Sequence, residues 1–146
     1  THMIRMHSYI GLSLPLHETA IGKLILAFQP LQTRQDMVRE ITSHPHTIKD
    51  IDLFLAEVAT IAEEGIAYNW GLHDKHINSI AAPIFGSDRK IKAGISISVP
   101  VIYTNKDKLL SYRPLLLSAA SDISVKLGYQ GYEYNRFQER INSVNR

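Results

Sequence analysis

Three serines and one helix start carry the chemistry open to this chain. Ser79 lies in N-S-I-A-A-P-I-F, Ser96 and Ser98 lie in A-G-I-S-I-S, and P-L-H-E-T-A-I-G-K runs from Pro15 to Lys23. The first N–H groups of a helix lack intrahelical partners and sit at the positive end of its dipole. Those between Thr19 and Gly22 can therefore receive an anionic group. Hydroxyls of Ser79, Ser96 and Ser98 can donate to a carboxylate or to the hydroxyls of a sugar acid, and Asn69 can orient them from a neighbouring strand. Small side chains at Ala20, Ala81 and Gly94 leave room for a ligand. The pattern predicts a hollow, hydroxyl-lined chamber roofed by an early helix, built to bind an anion and leave it unchanged.

An acyl-transfer enzyme would need a nucleophile beside a base and an orienting acid. The three serines lie on expected strands, with no G-x-S-x-G turn, no histidine expected nearby and no glycine-rich phosphate loop. A sensor is therefore preferred to a catalyst. Two other readings stay open: a small enzyme using Ser79 or His17 on a carbonyl or keto-acid substrate, and a pure oligomerisation module. His17 either donates to a ligand or satisfies backbone groups ahead of the helix. His44 with His46, and His73 with His76, use a common zinc ligand, but each pair lacks a third ligand at suitable spacing and reads as solvated loop. Lys23 is expected to snorkel to the surface. Tyr68 and Trp70 are expected in the core or at a subunit contact. No cofactor or metal is expected.

The elements that must position these groups follow from periodicity. Ile4 to Leu14 reads as extended with a bend at Gly11. From His17 to Phe28, Ala20, Ile21, Leu24, Ile25 and Phe28 recur at helical spacing, and Pro30 stops the run. A second helix is expected from Thr33 through Ile41, and S-H-P-H is a loop. A third is expected from Thr47, with Ile51, Leu55, Val58 and Ile61 or Ala62 as its apolar stripe and Gly65 as its left-handed end. Ile66 to Trp70, Ile77 to Phe85 and Lys90 to Val99 read as strands, the last two joined by G-S-D-R. In the last, Ile91, Ala93, Ile95, Ile97 and Val99 share one face, and Gly94, Ser96 and Ser98 the other. Asn105 caps a short helix, and Pro114 suits the first turn of a longer one ending at Gly128. Tyr129 to Arg146 is either an ordered arm or frayed. The order predicts an α+β fold, an antiparallel sheet flanked by helices as in GAF- and PAS-like sensors.

At 146 residues with 45% hydrophobic content, the chain suits one globular domain rather than a disordered tail. No apolar run approaches the roughly 20 residues that cross a bilayer, and there are no cysteines to form disulfides. A cytoplasmic location is expected. The formal charge is +2, and scattered Lys and Arg give no counterion-releasing surface for DNA. Thr1 to Met3 are expected to be a cloning remnant, 4–128 an effector domain whose first strands are expected to be partly missing, and 129–146 a C-terminal tail.

The blocks P-L-H-E-T-A-I-G-K, G-I-A at Gly65 to Ala67, the serine hairpin and A-A-S-D-I-S-V-K-L-G occur in one order. Their combination resembles the C-terminal effector-binding domain of the IclR family of bacterial transcriptional regulators, from about Ile4 to Gly128. The resemblance implies effector contacts at Leu14, Ala20, Ile21, Asn69, Ile77, Ser79, Ser96 and Ser98. It also implies a homodimer or homotetramer, a role such as repression, and DNA contact through an absent N-terminal winged helix-turn-helix. The expected effector is a small organic acid, and within that class a sugar acid or its keto-deoxy product, with an aromatic acid as runner-up. Asn69 departs from an acid usual in some members and Ser79 from a frequent cysteine. Gly71 and Leu72 replace a common acidic pair, and His76 a usual glycine.

Overall fold

Alternation along two paired strands divides the molecule into two layers. The computed structural model describes residues 10–44, 48–131 and 133–144. A 3-10 turn (Leu16–Glu18) leads to α1 (Ala20–Ala27), α2 (Leu31–Ser43) and α3 (Ile51–Glu64). Then come β1 (Ala67–Trp70), β2 (Ile77–Phe85) and β3 (Ile91–Pro100), followed by a second 3-10 turn (Val101–Tyr103), α4 (Lys106–Ser111), α5 (Arg113–Lys126) and α6 (Glu133–Val144). The sheet has the order β1-β2-β3 and is antiparallel throughout, giving the expected α+β architecture.

Pairing of Asn69 with Ser79, Ser79 with Ser98, Ala81 with Ser96 and Pro83 with Gly94 puts the small residues on one face. That face receives α1, and Ala67 and Ala81 pack there with Ala20, Leu24, Phe54, Val58 and Ile61. Ile80, Ala82 and Ile84 point the other way and meet Leu109, Leu116, Leu117 and Ala120, with Ile95, Ile97 and Val99 packed against them. A bulge opposite Ile84 and Phe85 brings Ile91 against both clusters.

Several expected elements shift. The strand expected over Ile4 to Leu14 is not seen in its described part: Ile10 and Gly11 form a turn, with Gly11 at φ 80°, and 12–14 are irregular; 4–9 lie outside the described residues. α2 starts at Leu31, directly after Pro30, rather than at Thr33. Thr47 lies outside the described residues, and the N-cap of α3 is Asp50, whose carboxylate accepts the Leu53 N–H at 2.9 Å. With that later start, α3 buries Phe54, Val58 and Ile61, while Ile51 and Leu55 are 45% and 42% exposed. Both sets obey helical spacing, and the bulkier phenylalanine takes the inward phase. Gly65, at φ 67°, closes the helix as expected.

In its described part, 129–131 and 133–144, the segment after Gly128 is an ordered arm. Tyr129, Tyr134 and Phe137 belong to the core, and Phe137 is fully buried. The Tyr134 hydroxyl donates to the Pro83 carbonyl and meets Ser124 Oγ at 2.9 Å, and Ser124 accepts the Phe85 N–H at 2.9 Å. Pro83 tolerates its central strand because β1 pairs only as far as Ala81.

Phe137→Ala should lower unfolding free energy by about 3–5 kcal/mol in a urea titration, as for a buried aromatic truncated to a cavity. Burial pushes the Tyr68 and Tyr134 phenols up to about 12. Both phenols thus hold their protons in the fold above the pH at which an unfolded chain releases them. Stability should therefore be intact below about pH 10 and fall as pH rises toward 12, visible as a declining melting temperature.

Candidate functional site: a hydroxyl-lined cleft beside the first helix

The amino end of α1 is built by close packing. Thr19 is the N-cap, and its side-chain oxygen accepts the Gly22 N–H at 3.0 Å. A Cβ at Gly22 would lie 2.3 Å from the Leu16 carbonyl oxygen and 2.6 Å from Thr19 Oγ1, so only glycine lets the 3-10 turn fold against the helix. Because the cap uses the Gly22 N–H, the helix-end donors left are those of Ala20 and Ile21. That is narrower than the whole run from Thr19 to Gly22 expected above.

Beside this end lies a cavity of about 600 Å³. Leu14, Ala20, Ile21, Asn69, Ile77, Ser79, Ser96 and Ser98, the eight positions singled out in the sequence, all lie on its wall. It is an open cleft rather than a closed chamber, since Ser96 and Ser98 are exposed along β3 while Ser79 is buried at 9% exposure. Thr19 and Gly22, the bounds of the expected helix start, also line it, and Leu12, Leu16, Ile25, His73 and Asp74 complete the lining without having been named as contacts in the sequence. Leu12, Leu16 and Ile25 could have been read as neighbours of named positions. His73 and Asp74 could not, because the fold brings them in from the β1–β2 loop.

Asn69 is 6% exposed, and its Oδ1 accepts the Leu72 N–H at 3.0 Å, which fixes the amide orientation because only the oxygen accepts. Its amide nitrogen and the Ser79 hydroxyl have no hydrogen-bond partner among the described residues, yet neither is sealed from the cleft. Across the mouth, His73 Nδ1 meets Glu18 Oε2 at 3.0 Å, linking the β1–β2 loop to the turn before α1.

Three local expectations are corrected. Ala81 and Gly94 do not supply ligand volume: Ala81 is core, and a Cβ at Gly94 would come within 3.0 Å of Ile21, so the space above it is filled by α1. Lys23 does not snorkel, being 1% exposed with its ammonium on Glu57 of α3. His17 lines a neighbouring cavity with Met37 and Ile41, and its Nε2 is buried with no hydrogen-bond partner among the described residues, 3.7 Å from Glu18. Tyr68 packs against the core, and Trp70, 43% exposed, stacks on it at 5.6 Å. His46 lies outside the described residues; among those described, no three His, Asp or Glu side chains gather as metal ligands.

The family described as bacterial transcriptional regulator IclR C-terminal matches residues 1–125. The HTH-type transcriptional regulator KdgR of Dickeya chrysanthemi is 31% identical over 90% of this chain, which spans 44% of that protein. Among solved structures, the C-terminal domain of E. coli KdgR superimposes with a TM-score of 0.67 at 29% identity, over 79% of this chain and 72% of that one. The Thermotoga maritima IclR gives 0.76 at 30% identity, over 88% and 53%. The fold is accordingly the GAF- and PAS-like one of these C-terminal domains.

Gly22→Ala should cost about 1–3 kcal/mol, the usual penalty for overpacking. Chemical denaturation of the variant beside the parent measures it.

Proposed function

This chain belongs to the family of bacterial transcriptional regulator IclR C-terminal domains, and we propose on that premise that it senses a small organic acid in the cleft beside α1. A domain of this family is regulatory rather than enzymatic. The chain spans 44% of the Dickeya relative, so DNA contact through a separate N-terminal domain, the cytoplasmic setting of that contact and assembly as a homodimer or homotetramer belong to the proposal.

One observation carries the reading. Asn69 and Ser79 are buried residues on the cleft wall, and the amide nitrogen of one and the hydroxyl of the other have no hydrogen-bond partner among the described residues while still reaching the cleft. A ligand that accepts from them replaces water at two donors already held in place, worth about 0.5–1.5 kcal/mol for each bond and more where the acceptor is charged. Ser96 and Ser98 add two hydroxyls from β3, and the Ala20 and Ile21 N–H groups add the positive end of α1. The apolar wall of Leu14, Ile21 and Ile77 takes the carbon skeleton. Neutral donors of this kind suit a carboxylate carrying hydroxyls, as in a sugar acid. Signalling then requires that the acid bind two arrangements of the assembly with unequal affinity.

The test is calorimetric titration with a panel of hydroxylated and keto acids, before and after replacing both Ser96 and Ser98 by Ala. Neither hydroxyl has a partner among the described residues, so the melting temperature should hold while affinity falls about 10- to 100-fold, as expected for hydrogen bonds to a charged group. Unaltered affinity would remove both serines from the site.

A further inference from the structure

The charge around the cleft is unbalanced in a way that defines the acid more narrowly, resting on the acid-sensing reading above. Among the described residues, no lysine or arginine lines it, and its ionisable side chains are His73 and Asp74. Anion stabilisation therefore comes from dipoles: the amino end of α1, equivalent to about half a charge, the Asn69 amide and the serine hydroxyls. That set can replace the hydration of one carboxylate. A second carboxylate would have no guanidinium fork to receive it.

Asp74 is held in place. Its Oδ1 accepts the His76 N–H at 2.9 Å and its backbone carbonyl accepts the Ile77 N–H at 3.1 Å, so the β1–β2 loop keeps its carboxylate at the cleft wall. His73 beside it meets Glu18 at 3.0 Å, so its Nδ1 faces the turn before α1, and Glu18 itself does not line the cleft. Like charges facing each other across a partly desolvated cleft repel more strongly than they do in water.

We infer that the cleft selects acids with a single carboxylate and an uncharged, hydroxyl-bearing tail, and that Asp74 is the specificity-determining residue that rejects a second carboxylate. The tail suits this end because a hydroxyl can donate to Asp74, whereas a carboxylate can only accept. The rejection is a repulsive element added to the attractive one, which is how discrimination between similar ligands is commonly reached.

Matched pairs differing at one terminus test this: gluconate against glucarate, and glycerate against tartronate, titrated calorimetrically into the domain. The monoacid should bind at least about 10-fold tighter than its diacid, a gap near 1.4 kcal/mol. Asp74→Asn keeps an acceptor for the His76 N–H, so the fold should hold while the gap narrows to about 3-fold or less. Asp74→Ser, which can also hold the turn, gives the same readout if the first variant is unstable. A diacid that binds as tightly as its monoacid, or a gap unchanged in a folded Asp74 variant, overturns the inference and leaves acid sensing standing. No heat from any member of either pair overturns both.

Discussion

The site depends on a steric inequality between the two faces of one sheet. On the α1 side, Ala67, Ala81 and Gly94 are so small that helix side chains rest nearly on the backbone, with Ile21 and Leu24 occupying the space that a Cβ at Gly94 would need. On the other side, Ile80, Ala82 and Ile84 interlock with α5 in an ordinary apolar core. The closeness of α1 over the middle of β2 and β3 seats its amino end beside the sheet where Ser79, Ser96 and Ser98 emerge. Larger residues on the inner face would lift the helix and separate its free N–H groups from the hydroxyls. Binding geometry here follows from packing.

Much of this was legible in the chain because it is local. Alternation over Ile77 to Phe85 and through the serine strand fixed which residues share a face, and the G-S-D-R turn fixed the hairpin. The eight singled-out positions converge on one cleft, although five of them lie on strands more than forty residues from α1. What escaped was non-local or degenerate. His73 joins the cleft mouth through Glu18, a partner 55 residues away with no periodic signature. The phase of α3 was ambiguous because Ile51 with Leu55 and Phe54 with Val58 satisfy the same helical rule, and only contact with α1 decides between them. The arm after Gly128 looked polar and aromatic, yet Pro83 in the middle of β2 leaves a carbonyl for the Tyr134 hydroxyl to claim.

Within the cleft, Asn69 divides two duties between two atoms. Its oxygen holds the Leu72 N–H and so shapes the loop that carries His73 and Asp74, while its nitrogen has no partner among the described residues. An aspartate could hold the loop through the same oxygen but would present an acceptor in place of a donor. Loop geometry and ligand polarity are thereby separable at this position.

The burial of Lys23 reaches further than the site. Its ammonium is sealed between two helices and bound to Glu57, so stripping away either partner would strand a charge at least partly inside the protein. Mobile ions screen such a half-buried contact less than a surface pair, and with Glu57 40% exposed the tie between α1 and α3 is one that salt weakens only in part. The contact ties the helix whose amino end borders the cleft to one whose outer side leaves Leu53 and Leu55 in water.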